Sequence, residues 1–269
     1  FDNEVKKRIY KELKNCNKSD QRSKAKNYRD YIDSFIGPTL RKMFFEKYPE
    51  KIWGISTKKM TPDWAPNRIK FRDKILPFYH EEYAAVGKYG TGCVYDRIKN
   101  LIIKRGGKFL LDEQIIGFKA KQNKITQIKT TKKNYIAKKN EVIISTLPVS
   151  LTAKLLGKPN NLKFRGICSV YLFYKQHEIL PKNHHWLYFD SKKVLFNRIT
   201  ENKKLTKFVC PKESSFLTLE ITYTEGDKFS KLNPKIVIEK VKKQIQSTGL
   251  VDNTKLIGAE INYEPYVYP

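Results

Sequence analysis

The sequence predicts an α+β fold, and three successive patterns along its 269 residues predict it. Apolar side chains recur at helical spacing in residues 1–80. Short β segments joined by Lys-rich turns follow in residues 81–157 and are typical of a β-meander. In residues 158–269, apolar and polar side chains alternate beside one amphipathic helix, which indicates an antiparallel sheet covered by helix. We therefore expect three domains with these boundaries.

The first part is expected to be helical and irregular. Val5, Ile9 and Leu13 lie four positions apart and form one apolar stripe on a helix. A second helical pattern covers residues 28–48. Gly37 and Pro38 are expected to break or kink this helix, because proline lacks a backbone donor and clashes with the preceding turn.

The two remaining parts are expected to contain most of the strands. In residues 81–157, a glycine-rich turn precedes a helix that is expected to end at Gly106, where glycine relieves left-handed strain. Strands are expected there at residues 108–111, 115–120, 125–130 and 142–146. In residues 158–269, strands are expected at 168–174, 185–189, 194–199, 216–223 and 256–263, with a helix over 234–248.

The net charge of +27 suggests two interpretations. A nucleic-acid-binding module would use clustered cations to release counterions from phosphates. However, 44 of the 54 basic residues are lysines spread along the whole chain, whereas base readout favours arginine. No nucleic-acid-binding motif is recognisable. We interpret the charge mainly as compositional bias that aids solubility and attracts anions.

Cysteines and apolar runs give further expectations about the environment. The four cysteines form no CxxC pair, so we expect no metal site and reduced thiols in a cytoplasmic protein. No apolar run approaches the roughly 18–20 residues of a membrane helix.

Several short stretches stand in a distinctive order between residues 40 and 269. They are FEKYPEKIWG at 45–54, WAPNRI at 64–69, KYGTG at 88–92, VIISTLP at 142–148, LFNRI at 195–199, LEI at 219–221 and YVYP at 266–269. Together they resemble the flavin-containing amine oxidoreductase superfamily, and within it the protoporphyrinogen-oxidase-like and UDP-galactopyranose-mutase-like branch.

The resemblance implies FAD as the cofactor. Residues 81–157 would then form the β-meander edge of a glutathione-reductase-like FAD-binding domain, between a helical substrate or cap region and an antiparallel-sheet substrate domain. The residues that it implies for the cofactor are Gly90, Thr91, Gly92, Ile115, Thr146, Leu147 and Pro148. The alternative for residues 90–92 is a plain loop-to-helix turn. The alternative for residues 146–148 is a plain turn at the end of a strand.

For the substrate, the resemblance implies aromatic and arginine side chains. They are Trp53, Trp64, Arg68, Arg198, Tyr266 and Tyr268. The tryptophans could instead be core residues between helices, and Arg68 could form a surface ion pair. Arg198 lies in an otherwise apolar segment, so it either faces solvent or enters a polar pocket. No catalytic side chain is assigned, because a flavin would carry the electrons.

The resemblance therefore implies an FAD-dependent oxidoreductase that oxidises a small or nucleotide-linked substrate by hydride transfer. A flavin-dependent sugar isomerase like UDP-galactopyranose mutase is the alternative. The family's N-terminal GxGxxG segment and its ribose-binding acid are not recognisable here. We therefore expect an internal piece of a larger flavoprotein, inactive alone and partnered by the rest of that chain.

Overall fold

The computed structural model describes residues 1–18, 22–65 and 87–268. Three helices begin the chain: α1 (Asn3–Lys18), α2 (Tyr28–Leu40) and α3 (Lys47–Trp53). Asn27 caps α2, because its side chain accepts a hydrogen bond from the backbone N–H of Asp30. Residues 41–45 form a π-helical turn between α2 and α3.

The predicted break in the second helix is confirmed at Gly37, whose φ of 84° is not helical. Only glycine fits this position, since an added Cβ would lie 2.6 Å from the Cβ of Glu12 in α1. The Glu12 carboxylate accepts hydrogen bonds from the backbone N–H and the hydroxyl of Thr39, at 2.8 and 2.7 Å. The kink therefore lets α1 approach α2 closely.

The middle part contains α4 (Gly92–Lys104), β1 (Ile115–Lys121), β2 (Lys124–Thr130), β3 (Asn134–Ile136) and α5 (Val149–Leu155). The three strands form an antiparallel sheet in the order β1-β2-β3, as the β-meander predicted.

The predicted strands at residues 108–111 and 142–146 are wrong. Neither segment pairs with another strand among the described residues, so their backbone N–H and C=O groups form no hydrogen bonds of a β-sheet. Val142 and Ile144 are accordingly 85% and 84% exposed. These segments have strand-like composition without a neighbouring strand.

The last part is a five-stranded antiparallel sheet in the order β5-β6-β7-β4-β8. Its elements are β4 (Arg165–Tyr174), β5 (Trp186–Tyr188), β6 (Arg198–Glu201), β7 (Ser215–Tyr223), α6 (Pro234–Ser247) and β8 (Leu256–Tyr268). The expected strand at 194–199 is wrong in position: residues 194–197 lie in the loop before β6.

One face of this sheet forms the main core under α6. Its fully buried residues include Val170, Leu172, Leu219, Val241 and Ile245. Alternate residues of the same strands point to the opposite face, where α3 packs near one end. We call this second surface the α3 face, and it carries Tyr188, Arg198, Glu220, Ser169 and Asn262.

None of the described helices is both long and apolar enough to cross a bilayer.

Candidate functional site

A continuous row of polar side chains crosses the α3 face. Strand register places Tyr188 opposite Arg198, Arg198 opposite Glu220, Glu220 opposite Ser169, and Ser169 opposite Asn262. The row therefore includes one residue from each of the five strands. Directly opposed residues have Cβ atoms about 5 Å apart, so neighbouring polar groups in the row can contact one another or the same ligand group.

An ion pair lies in this row. The Nη2 atom of Arg198 donates to Oε1 of Glu220 at 2.5 Å. Burial alone would lower the pKa of Arg198, but the hydrogen bond and charge of Glu220 outweigh it, so that pKa is raised. The Nε atom of Arg198 is buried and has no hydrogen-bond partner in the part of the chain that the structure describes. The guanidinium is therefore a permanent cation that is held by Glu220.

Tyr48 of α3 lies beside this pair. Its ring meets the ring of Tyr188 edge-to-face, with the centroids 5.2 Å apart. Burial raises the pKa of Tyr48, and Tyr188 adds to the rise while the charge of Arg198 opposes it. Tyr48 is therefore a neutral phenol at neutral pH and can donate one hydrogen bond.

Two side chains of the sheet hold α3 in place through hydrogen bonds to its backbone carbonyls. The Nε atom of Arg165 donates to the carbonyl of Ile52 at 2.8 Å, and the hydroxyl of Thr222 donates to the carbonyl of Lys51 at 3.2 Å. Both acceptors belong to the last turn of α3, whose carbonyls have no partner within the helix. The sheet therefore determines where Tyr48 lies.

Three of the predicted substrate residues meet in one aromatic cluster. The ring of Trp53 contacts Trp64 at 6.0 Å and Tyr268 at 5.8 Å, centroid to centroid. Trp64 also packs on Tyr28, which is buried in the core of the helical part. Trp53 therefore joins the helical core to the end of β8. Tyr48 lies close to both this cluster and Arg198, since Tyr268 raises the pKa of Tyr48 and the charge of Arg198 lowers it.

Tyr266, another predicted substrate residue, lies away from this cluster. Tyr266 packs edge-to-face on Phe164, with ring centroids 5.5 Å apart, and lines an open groove of about 830 Å³ beside α5. Arg68 lies outside the described residues.

The predicted cofactor residues occupy three places. Gly90, Thr91 and Gly92 form the turn at the start of α4, and this turn docks on the sheet part, where the hydroxyl of Thr206 donates to the carbonyl of Lys88 at 2.6 Å. Ile115 begins β1. Thr146, Leu147 and Pro148 directly precede α5, and α5 lies against β1.

These residues fit FAD in part. Gly87 permits a tight turn, because an added Cβ would lie 2.1 Å from Sγ of Cys93, and the space in front of Gly92 is open. A pyrophosphate cradle needs a strand, a glycine turn and a helix in succession. The turn before α4 follows no strand within residues 1–18, 22–65 and 87–268. The described residues therefore lack the cradle that a pyrophosphate group needs.

Tyr48, Tyr188 and Glu220 were not among the site residues predicted from the sequence. Tyr48 and Glu220 stood inside stretches that carried the resemblance, without a role. The available signal was the alternation in β7, which places a carboxylate between Leu219 and Ile221 on the face away from the core.

No protein-family profile and no curated protein sequence matches the chain. Solved structures do resemble it. Reduced UDP-galactopyranose mutase has a TM-score of 0.77 at 17% identity, over 100% of this chain and 61% of that one. A protoporphyrinogen oxidase described as putative, from Exiguobacterium sp. 255-15, has a TM-score of 0.68 at 12% identity, over 100% and 62%.

An oxidoreductase from Methanosarcina mazei has a TM-score of 0.59 at 12% identity, over 99% of this chain and 62% of that chain. The chain thus spans about three fifths of the structures that it matches. Identities this low show a shared fold. The chain has the fold of the UDP-galactopyranose mutase and protoporphyrinogen-oxidase-like structures, as the sequence resemblance predicted.

Proposed function

We propose that the chain is part of an FAD-dependent oxidoreductase of the amine-oxidase and protoporphyrinogen-oxidase-like type, acting on a small or nucleotide-linked substrate. The observation that carries this proposal is the polar row on the α3 face, beside an aromatic cluster, in a fold shared with such structures. FAD would accept a hydride from the substrate. The chain's own residues would bind and orient that substrate.

Arg198 of the row, Tyr48 beside it and the aromatic cluster each have a chemical role in this proposal. The guanidinium of Arg198, whose side chain is 38% exposed, would bind an anionic group of the substrate, because its planar shape matches carboxylate and phosphate oxygens. The neutral phenol of Tyr48 would donate a hydrogen bond to a substrate oxygen. Trp53 and Tyr268 would cover an apolar face of the substrate and exclude water.

The cofactor would be shared with protein outside the described residues. We propose that Gly90, Thr91, Gly92, Ile115 and residues 146–148 contact FAD, and that the rest of a longer chain supplies the pyrophosphate cradle. Two observations support this: the exposed apolar segment at 142–146, and the three-fifths coverage of the matched structures. Runs of apolar residues are typical of strands buried on both faces of a parallel sheet.

A flavin-dependent sugar isomerase is the second candidate. The high TM-score to UDP-galactopyranose mutase favours it, and a nucleotide-sugar diphosphate would suit Arg198 equally well. The two candidates differ in net redox change: the oxidoreductase leaves an oxidised product, whereas the isomerase returns its cofactor unchanged.

The test is made on the longest natural protein that contains this chain. Its flavin absorbance is recorded first, and absence of bound flavin refutes both candidates. Anaerobic bleaching of the flavin by candidate amines supports the oxidoreductase, and ring contraction of UDP-galactose supports the isomerase. Arg198→Met should lower kcat/KM at least tenfold for the true substrate. Arg8→Met, at an exposed position of α1, is the matched control and should leave kcat/KM unchanged.

A further inference from the structure

The loop between β5 and β6, residues 189–197, connects Tyr188 to Arg198. A backbone hydrogen bond from the N–H of Phe189 to the carbonyl of Asn197, at 2.8 Å, closes the loop. Phe189 follows Tyr188 directly, and Asn197 directly precedes Arg198. A displacement of either loop end therefore moves one of the two side chains in the polar row.

The ammonium group of Lys51 binds this loop from α3. Its Nζ atom donates to the carbonyls of Phe189 at 3.1 Å, Ser191 at 2.8 Å and Phe196 at 2.7 Å. A lysine ammonium has three N–H donors, so all three are used. The acceptors include residues near both ends of the loop. One side chain therefore spans the connection between the two strands.

We propose that Lys51 is a positioning residue, whose ammonium group holds both ends of this loop against α3 and so orients Tyr188 and Arg198 toward the substrate. The consequence for catalysis rests on the proposed function, because orientation matters only if the polar row binds a substrate. Helix α3 also carries Tyr48, one turn before Lys51. The same helix would therefore fix the position of the Tyr48 phenol relative to Tyr188 and Arg198.

The surroundings of Lys51 make this contact sensitive to pH. Burial lowers the pKa of Lys51 to about 8, and the nearby charge of Asp190, in the same loop, opposes the shift. A neutral amine has two N–H donors for three carbonyls and no charge. The loop should therefore be held below about pH 8 and should loosen as the pH rises above it.

Ring signals of ¹³C-tyrosine test the inference in the full chain without any cofactor or substrate. The proteins are the wild type, Lys51→Met, Lys51→Arg, and Lys47→Met as the matched control at an exposed position of α3. Tyr48→Phe and Tyr188→Phe assign the two signals. In the wild type and the control, the Tyr188 signal should shift between pH 6.5 and 9.5 with a midpoint near 8. In Lys51→Met it should be displaced at pH 7 and show no such midpoint, and Lys51→Arg should restore the wild-type position at pH 7 and keep it at pH 9.5.

Two results would overturn the inference. One is a Lys51→Met protein with a lower melting temperature and an unmoved Tyr188 signal, which would mean that Lys51 only stabilises the fold. The other is a midpoint near pH 8 that persists in Lys51→Met. Because these signals need no flavin, a negative flavin result refutes the proposed function separately. If that function holds, Lys51→Met should also lower kcat/KM about tenfold, with partial rescue by Lys51→Arg.

Discussion

Replacing Glu220 with Gln tests whether the ion pair of the polar row is a real energetic coupling. The substitution keeps the shape of the side chain and removes its charge. The side chains of Glu220 and Arg198 are 16% and 38% exposed. Exposed ion pairs contribute about 0.2–1 kcal/mol, whereas breaking a fully buried pair costs about 3–5 kcal/mol. Because Arg198 is partly exposed, solvent screens the pair and its coupling should be smaller than that of a fully buried pair. We therefore expect a coupling free energy of about 1–2 kcal/mol.

A double-mutant cycle measures this coupling. Free energies of unfolding in urea are compared for the wild type, Glu220→Gln, Arg198→Met and the double variant. The exposed pair of Glu239 and Lys242 on α6, with Glu239 60% exposed, is the matched control and should couple by less than about 0.5 kcal/mol. A coupling for Glu220 no larger than that of the control pair would refute the idea that the sheet face desolvates this ion pair.

Three further predictions concern the core, the helix kink and the cofactor. Burial raises the pKa of Cys168 from 9.0 to about 12, so the stability that its neutral thiol contributes below pH 9 should be lost as the pH rises toward 12; urea unfolding between pH 8 and 10.5 should show a shallower decline for Cys168→Ala than for the wild type. Gly37→Ala should destabilise the protein by about 3 kcal/mol in urea, because the new Cβ meets Glu12 at a positive φ; a loss below about 1 kcal/mol would contradict the strained kink. Residues 1–269 alone should bind FAD more weakly than about 1 μM in a titration at about 0.15 M salt, since lysine attraction is screened there; stoichiometric binding would show a complete site.

Local patterns were sufficient for much of the fold. The kink at Gly37, strands β1 and β2, and helix α6 all follow from side-chain periodicity or from one residue with restricted geometry. These features depend on residues that are close together in the chain. The period of the apolar residues, two in a strand and 3.6 in a helix, therefore predicts them directly.

The segment at 142–146 shows where local pattern fails. Its run of apolar residues has the composition of a buried strand, but a strand exists only where a second strand supplies hydrogen-bond partners. No such partner lies beside it in the described part of the chain, and Val142 remains 85% exposed. Composition therefore predicted that this segment favours a strand, but it did not predict whether a neighbouring strand would be there to pair with it.

The site depends on the same distinction. Arg198 was recognisable because a cation interrupts an apolar segment, and such an interruption is visible in the sequence alone. Glu220 and Tyr48 do not stand out from the pattern around them. Glu220 fits the ordinary alternation of apolar and polar residues in β7, and Tyr48 fits the pattern of a helix. They become site residues through the register of β6 with β7 and through the docking of α3, which residues far apart in the chain determine. A charged residue out of pattern thus indicates where a site lies, and its partners have to be read from the pairing of the strands.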